Sequence, residues 1–116
     1  MSDNLTQKKC VPCEGGMPPL DSETIRKYQP QVHPDWQVIY EKSLQRRFDF
    51  KNFLAAVNFI NQIAAVAEQE GHHPDLHLTN YRKLTIELST HSIGGLSEND
   101  FIMAAKIDDL FQSLPV

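Results

Sequence analysis

The sequence predicts an α+β fold, a mainly antiparallel sheet covered on one face by helices in the order α-β-β-α-β-α. Three observations carry that expectation. Two strand-like segments, residues 36–40 and 43–50, are separated only by Glu41 and Lys42, which is hairpin spacing. A run of helical period, residues 51–70, follows at once and stops at Gly71. A third alternating segment, residues 81–90, precedes a last helical run that opens at Ser97.

Taken in order, residues 1–19 read as a flexible N-terminal tail, because Gly15-Gly16 and Pro18-Pro19 break regular structure; residues 20–116 read as a single domain. Asp21 or Ser22 caps a short helix through Gln29, and Pro30 stops it. In the first strand Trp36, Val38 and Tyr40 share a face. In the second, Leu44, Phe48 and Phe50 face one way and Gln45, Arg47 and Asp49 the other; Arg46 breaks the alternation, as at a bulge or an edge, and is assigned no role. The long helix carries an apolar stripe of Phe53, Val57, Ile60, Ile63, Ala64 and Ala67. The third strand turns Leu84, Ile86 and Leu88 to the core and Lys83, Thr85, Glu87 and Ser89 away from it. In the last helix the apolar positions include Phe101, Ile102, Ala105, Leu110, Phe111 and Leu114. A sheet with one uncovered face invites self-association through that face or its edge.

Composition narrows the function classes. At 116 residues, 41% hydrophobic and 22% charged, the chain is of a size for one soluble domain with its own core. A net charge of -4 with dispersed Lys and Arg gives no footprint for nucleic acid and disfavours anionic membrane surfaces. No run approaches the roughly 18–20 apolar residues of a membrane span, and residues 1–9 are too polar for a secretory signal, so the expected compartment is the cytoplasm. Cys10-Val11-Pro12-Cys13 has no second pair to complete a structural zinc site and no βαβ context for redox work, which leaves an ordinary pair of tail cysteines. The absence of GxGxxG, P-loop and GxSxG motifs argues against nucleotide-dependent redox chemistry, phosphoryl transfer and serine esterase chemistry.

The chemistry concentrates in the histidines. His72 and His73 follow the long helix directly, and His91 ends the third strand. Imidazole gives and takes protons near neutrality. The last carbonyls of the helix favour a protonated ring, and Glu68, one turn before His72, is within reach of it. Two readings of His72 remain open, a cap on helix carbonyls or an acid/base group. By parity His91 lies with Ser89 on the face away from the core, where it is either a solvated strand-end residue or a site residue. The Gly94-Gly95 turn beside it allows close backbone approach to a ligand. Asp100 completes a capping box with Ser97, a role compatible with orienting a histidine. His33 and His77 read as surface groups. A metal held by His72, His73 and His91 is disfavoured, since adjacent histidines rarely aim both rings at one ion and no HxxxH pattern is present.

Together, Glu68, His72-His73-Pro74, Tyr81, Leu88-Ser89-Thr90-His91, Gly95-Leu96-Ser97-Glu98 and Asp100 resemble the signature of the pterin-4a-carbinolamine dehydratases. The segment Phe48-Asp49-Phe50-Lys51-Asn52-Phe53 is similar to that family's approach to its long helix, and Cys13-Glu14-Gly15 ahead of Leu20 is similar to bacterial members. The resemblance spans about residues 13–113 and implies an α+β fold assembled as homodimers or homotetramers. It implies dehydration of a 4a-hydroxytetrahydropterin to a quinonoid dihydropterin, the step that returns pterin to aromatic amino acid hydroxylation, with no metal and no bound cofactor. By the same resemblance His72 and His91 are the acid/base pair. His73 binds pterin and assists; Pro74, Ser89 and Thr90 bind substrate; Glu68 and Asp100 support the imidazoles. The chain departs from animal relatives in an extra residue between Pro74 and Tyr81 and in Leu76, where tryptophan is frequent; both bear on the pocket rim. Other members imply competing readings: a non-catalytic dimerisation module or transcriptional coactivator, or action on another pterin, as in molybdopterin metabolism.

Overall fold

The computed structural model describes residues 5–11 and 18–114. Asp21 caps helix α1 (Ser22–Tyr28), its side chain accepting from Thr24 N at 2.9 Å. That bond holds the Asp21 carboxyl below the usual carboxylate range. A 3-10 turn over Gln29–Gln31, with Pro30 inside it, ends the helix.

Strands β1 (Gln37–Ile39) and β2 (Ser43–Asp49) form the expected hairpin, but its turn is one residue early. Tyr40 and Glu41 occupy the left-handed region at φ 51° and 59°, and Lys42 N donates to Ile39 O at 2.9 Å. Tyr40 is therefore 90% exposed instead of sharing the inner face with Trp36. The expectation for Arg46 is also corrected. The β2 register against β4 is unbroken, and Leu44, Arg46 and Phe48 all point into the core, so Arg46 sits at neither a bulge nor an edge. A pattern read by polarity cannot tell a buried arginine from a defect.

Helix α2 (Phe53–Glu70) is capped by Asn52, which accepts from Ala55 N at 2.8 Å, and it ends on Gly71 at φ 68°. Its buried line is Ala56, Phe59, Ile63 and Ala67, so only Ile63 and Ala67 of the expected stripe lie at its centre. Phe53 and Ala64 are exposed, and Val57 and Ile60 are half-buried. Alanine, valine and isoleucine surround this helix on several sides, so more than one stripe satisfied the helical period.

After α2 comes a strand the sequence reading missed, β3 (Asp75–Thr79). It pairs with β4 (Lys83–Leu88) through a second hairpin, whose turn residues Asn80 and Tyr81 lie at φ 49° and 53°. The order is thus α-β-β-α-β-β-α, and the sheet runs β1-β2-β4-β3, antiparallel throughout. The two central strands supply Leu44, Phe48, Leu84, Ile86 and Leu88 to one core under the helices. Full burial of each such side chain contributes about 1.5–3 kcal/mol. Phe48, Phe50, Phe59 and Phe111 interlock there with ring centroids 4.8–6.0 Å apart.

Helix α3 (Glu98–Gln112) is buried continuously from Asn99 to Ala105. One side meets the sheet and α2; another is covered by the N-terminal segment, where a 3-10 turn at Leu5–Gln7 buries Leu5. Of the expected flexible tail, residues 5–11 thus lie packed on the domain; Cys13 and Gly15-Gly16 fall outside the described residues. No helix of the described residues is long and apolar enough to cross a membrane.

Candidate active site

Three chain segments converge beside the C-terminal end of α2. Gly71 N and His72 N both donate to Ala67 O, at 2.8 and 3.3 Å, so the backbone itself closes the helix end. The ring of His72 is thereby released from capping. Its Nε2 lies 2.6 Å from Asp100 Oδ1 at the start of α3. Glu68, expected to reach His72, instead meets the ring of His73, with Oε2 2.5 Å from Nε2, and this pair is largely solvent-exposed. Helical spacing put Glu68 near both rings, but the left-handed Gly71 swings His72 inward toward α3 and leaves His73 outside.

Asp100 is fully buried, and both of its oxygens are engaged. Oδ2 accepts from Ser97 N at 2.9 Å and from Thr90 Oγ1 at 2.8 Å, while Thr90 Oγ1 lies 2.8 Å from Ser97 Oγ. The capping box is present, and the same carboxylate also orients the histidine. An acceptor at Nε2 calls for the proton on that nitrogen. The nitrogen that His72 can offer a ligand is then Nδ1, a base when the ring is neutral and an acid when it is protonated.

The last β4 residues lead to Thr90, which bridges to Gly95, and to a 3-10 turn over His91–Ile93 that projects His91 outward. The ring of His91 makes no hydrogen bond among the described residues and is exposed. Gly94 takes φ 72°; Gly95 is buried, and a Cβ there would lie 2.7 Å from Pro19 Cβ. The close approach that the glycine pair permits is thus to the chain's own Pro19. Leu20 N, donating to Leu96 O at 2.9 Å, ties the same strip down.

His72, His73, Ser89, Thr90 and His91 line one cleft of about 370 Å³, together with Val11, Gly71, Ser92 and Asn99. A smaller depression of about 260 Å³ shares Ser89, Thr90 and His91 and continues to Lys42 and Ser43. Pro74 is half-buried beside the cleft, outside its lining. Sequence reasoning missed Val11 and Asn99. Asn99 adjoins Asp100, which was a usable signal; nothing in the sequence ties residue 11 to residue 99. His33 and His77 lie elsewhere: His33 N donates to Asp108, and His77 is on the edge strand β3.

Residues 18–110 match the protein family described as pterin 4 alpha carbinolamine dehydratase. A protein of Alkaliphilus metalliredigens with the provisional name pterin-4-alpha-carbinolamine dehydratase is 51% identical over 106 residues, 91% of this chain and 95% of its own length. A protein of Nitrosomonas europaea with the same provisional name is 49% identical, covering 95% of this chain and 96% of its own. The crystal structure of a transcriptional coactivator/pterin dehydratase from Brucella melitensis superposes with a TM-score of 0.73 at 30% identity, over 79% of this chain and 97% of that one.

Proposed function

The chain belongs to the pterin-4a-carbinolamine dehydratase family, a family of hydro-lyases, and from that premise we propose that its histidine cleft removes water from a 4a-hydroxytetrahydropterin by general acid/base catalysis. The observation that carries the reading is the convergence of His72, His73 and His91 with Ser89 and Thr90 on one cleft, with His72 held by a fully buried carboxylate.

The bond changes match these groups. Hydroxide leaves C4a poorly, so an acid protonates the C4a oxygen, the C–O bond breaks and water departs. A base takes the N5 proton, and the N5–C4a double bond of the quinonoid dihydropterin forms. His72 and His91 divide the two proton transfers, His73 binds the pterin and assists, and Ser89 and Thr90 bind substrate at the cleft wall, the Thr90 hydroxyl already donating to Asp100. Glu68 orients His73, and Asp100 fixes the tautomer of His72. In this reading the enzyme acts in the cytoplasm as a homodimer or homotetramer, returning pterin to an aromatic amino acid hydroxylase. The solved relative is described as both a coactivator and a dehydratase; a cleft this rich in proton-transfer groups supports the enzymatic role for this chain.

Dehydration followed by ultraviolet absorbance in a coupled hydroxylase assay tests this. The wild-type protein is expected to accelerate the step, and His72→Ala and His91→Ala, shown to be folded by circular dichroism, to lose about 100- to 10,000-fold in kcat. A wild-type protein without effect refutes the reading; full activity in both variants refutes the histidine mechanism.

A further inference from the structure

The N-terminal segment reaches the cleft by a series of polar ties. Lys106 Nζ donates to Thr6 O at 2.8 Å, Lys8 Nζ meets Glu98 at 2.8 Å, and Cys10 N donates to Glu70 Oε1 at 2.8 Å. Residue 11 is then gripped from both sides: Val11 N donates to Asn99 Oδ1 at 3.0 Å, and Asn99 Nδ2 donates to Val11 O at 2.6 Å. Asn99 is 4% exposed, so this side chain spends its buried amide on the backbone of a residue 88 positions away. Two of the ties come from residues beside the histidine machinery, Glu70 two positions before His72 and Asn99 one before Asp100.

Val11, 62% exposed as a residue, lies on the wall of the cleft. Every other lining residue among those described is polar or glycine. A cleft for a flat heterocycle needs apolar contact as well as hydrogen bonds. We infer that Val11 is a substrate-contacting residue, the apolar wall against which the pterin lies, and that Asn99 is a positioning residue that holds it there. This rests on the dehydratase reading above and adds to it a segment remote in sequence from the histidines.

Steady-state dehydration and titration with a 7,8-dihydropterin product analogue test it on the full chain, with Val11→Ser, Asn99→Ala and the double variant. Val11→Ser, at an exposed position, is expected to raise KM and the analogue's Kd roughly five-fold with kcat within two-fold. Asn99→Ala is expected to do the same at least as strongly, and the double variant to be no worse than Asn99→Ala, since the asparagine acts through residue 11. Unchanged KM and Kd in Val11→Ser, beside an active wild type, overturn the inference and leave the dehydratase reading standing. A fall in kcat at constant KM in Val11→Ser, or fully additive effects in the double variant, also overturns it. A wild type that neither binds the analogue nor turns over removes both readings together.

Discussion

Helix α3 carries two aspartates, the fully buried Asp100 and the partly buried Asp108, and each gathers three hydrogen bonds from side chains or backbone of other segments or of the cap. They lie about 12 Å apart along the helix. Asp108 accepts from Arg46 Nη1 at 2.5 Å, Trp36 Nε1 at 2.7 Å and His33 N at 2.9 Å, while the Arg46 guanidinium lies 4.2 Å from the centroid of the Phe48 ring. Asp100 accepts from Ser97 N and Thr90 and meets the ring of His72, which opens on the cleft. The difference is the partner. A guanidinium keeps its charge at every accessible pH, so the Asp108 cluster can only clamp α3 to β2 and to the segment that leads into β1. An imidazole changes charge near neutrality, so the same carboxylate chemistry at Asp100 can serve proton transfer.

The largest effect expected is on the clamp. Arg46→Ala takes the counter-charge from Asp108, which keeps only its Trp36 and His33 N–H donors, and removes a cation packed on an aromatic ring; it should cost about 3 kcal/mol. The urea midpoint is the measurement, and kcat per folded molecule should stay within two-fold. A parallel loss of activity in the folded fraction would break the division between the two clusters.

That division was only half legible in the sequence. Asp100 was readable because its cap, Ser97, stands three residues away and its other partners fall inside one motif. The Arg46–Asp108 pair spans 62 residues, and in strand periodicity a buried arginine looks like an interruption. The two central strands and both long helices were readable because each repeats its period over several residues, and three-residue β1 was readable from its hairpin spacing beside β2. β3 escaped because it follows the His72-His73-Pro74 turn directly and only two apolar side chains, half-buried Leu76 and Leu78, mark its inward positions. The pairing of Glu68 with His73 depends on one left-handed residue, Gly71, whose effect on direction no spacing rule encodes. The N-terminal contact has no local period at all, so composition alone suggested a tail.

Next in size is Asp100→Asn, which sharpens the comparison from the other side. The amide keeps the shape and can still accept one bond, but it no longer presents a charged acceptor to His72 Nε2. A fall of about 100-fold in kcat is expected, with a stability loss of about 1–2 kcal/mol from the weakened cap. Measured together, kcat and the urea midpoint separate the roles. If kcat is unchanged while stability falls, Asp100 is a clamp like Asp108, and the histidine it touches is only held in place.

Glu70 is the intermediate case and carries the smallest effect. Burial by itself raises its pKa, but the Cys10 N–H, followed by the charges of Lys106 and Lys9, outweighs it and holds the carboxyl below the ordinary 4.5. Lys106 Nζ lies 3.6 Å away. Because the folded value is the lower one, the stabilisation is fully present above the unfolded pKa and is lost as pH falls through the folded value. Glu70→Gln should therefore lower stability by under about 1 kcal/mol at pH 7. Its urea midpoint should converge with that of the wild type once the pH is below the folded pKa, with kcat unaltered at neutral pH. A gap between the two midpoints that persists in acid would mean that Glu70 acts through shape and packing, as an uncharged tie between α2 and the N-terminal segment. A gap that closes makes it a charge-dependent fastening, set between a clamp that acid leaves intact at the guanidinium and a catalytic pair whose charge state is its function.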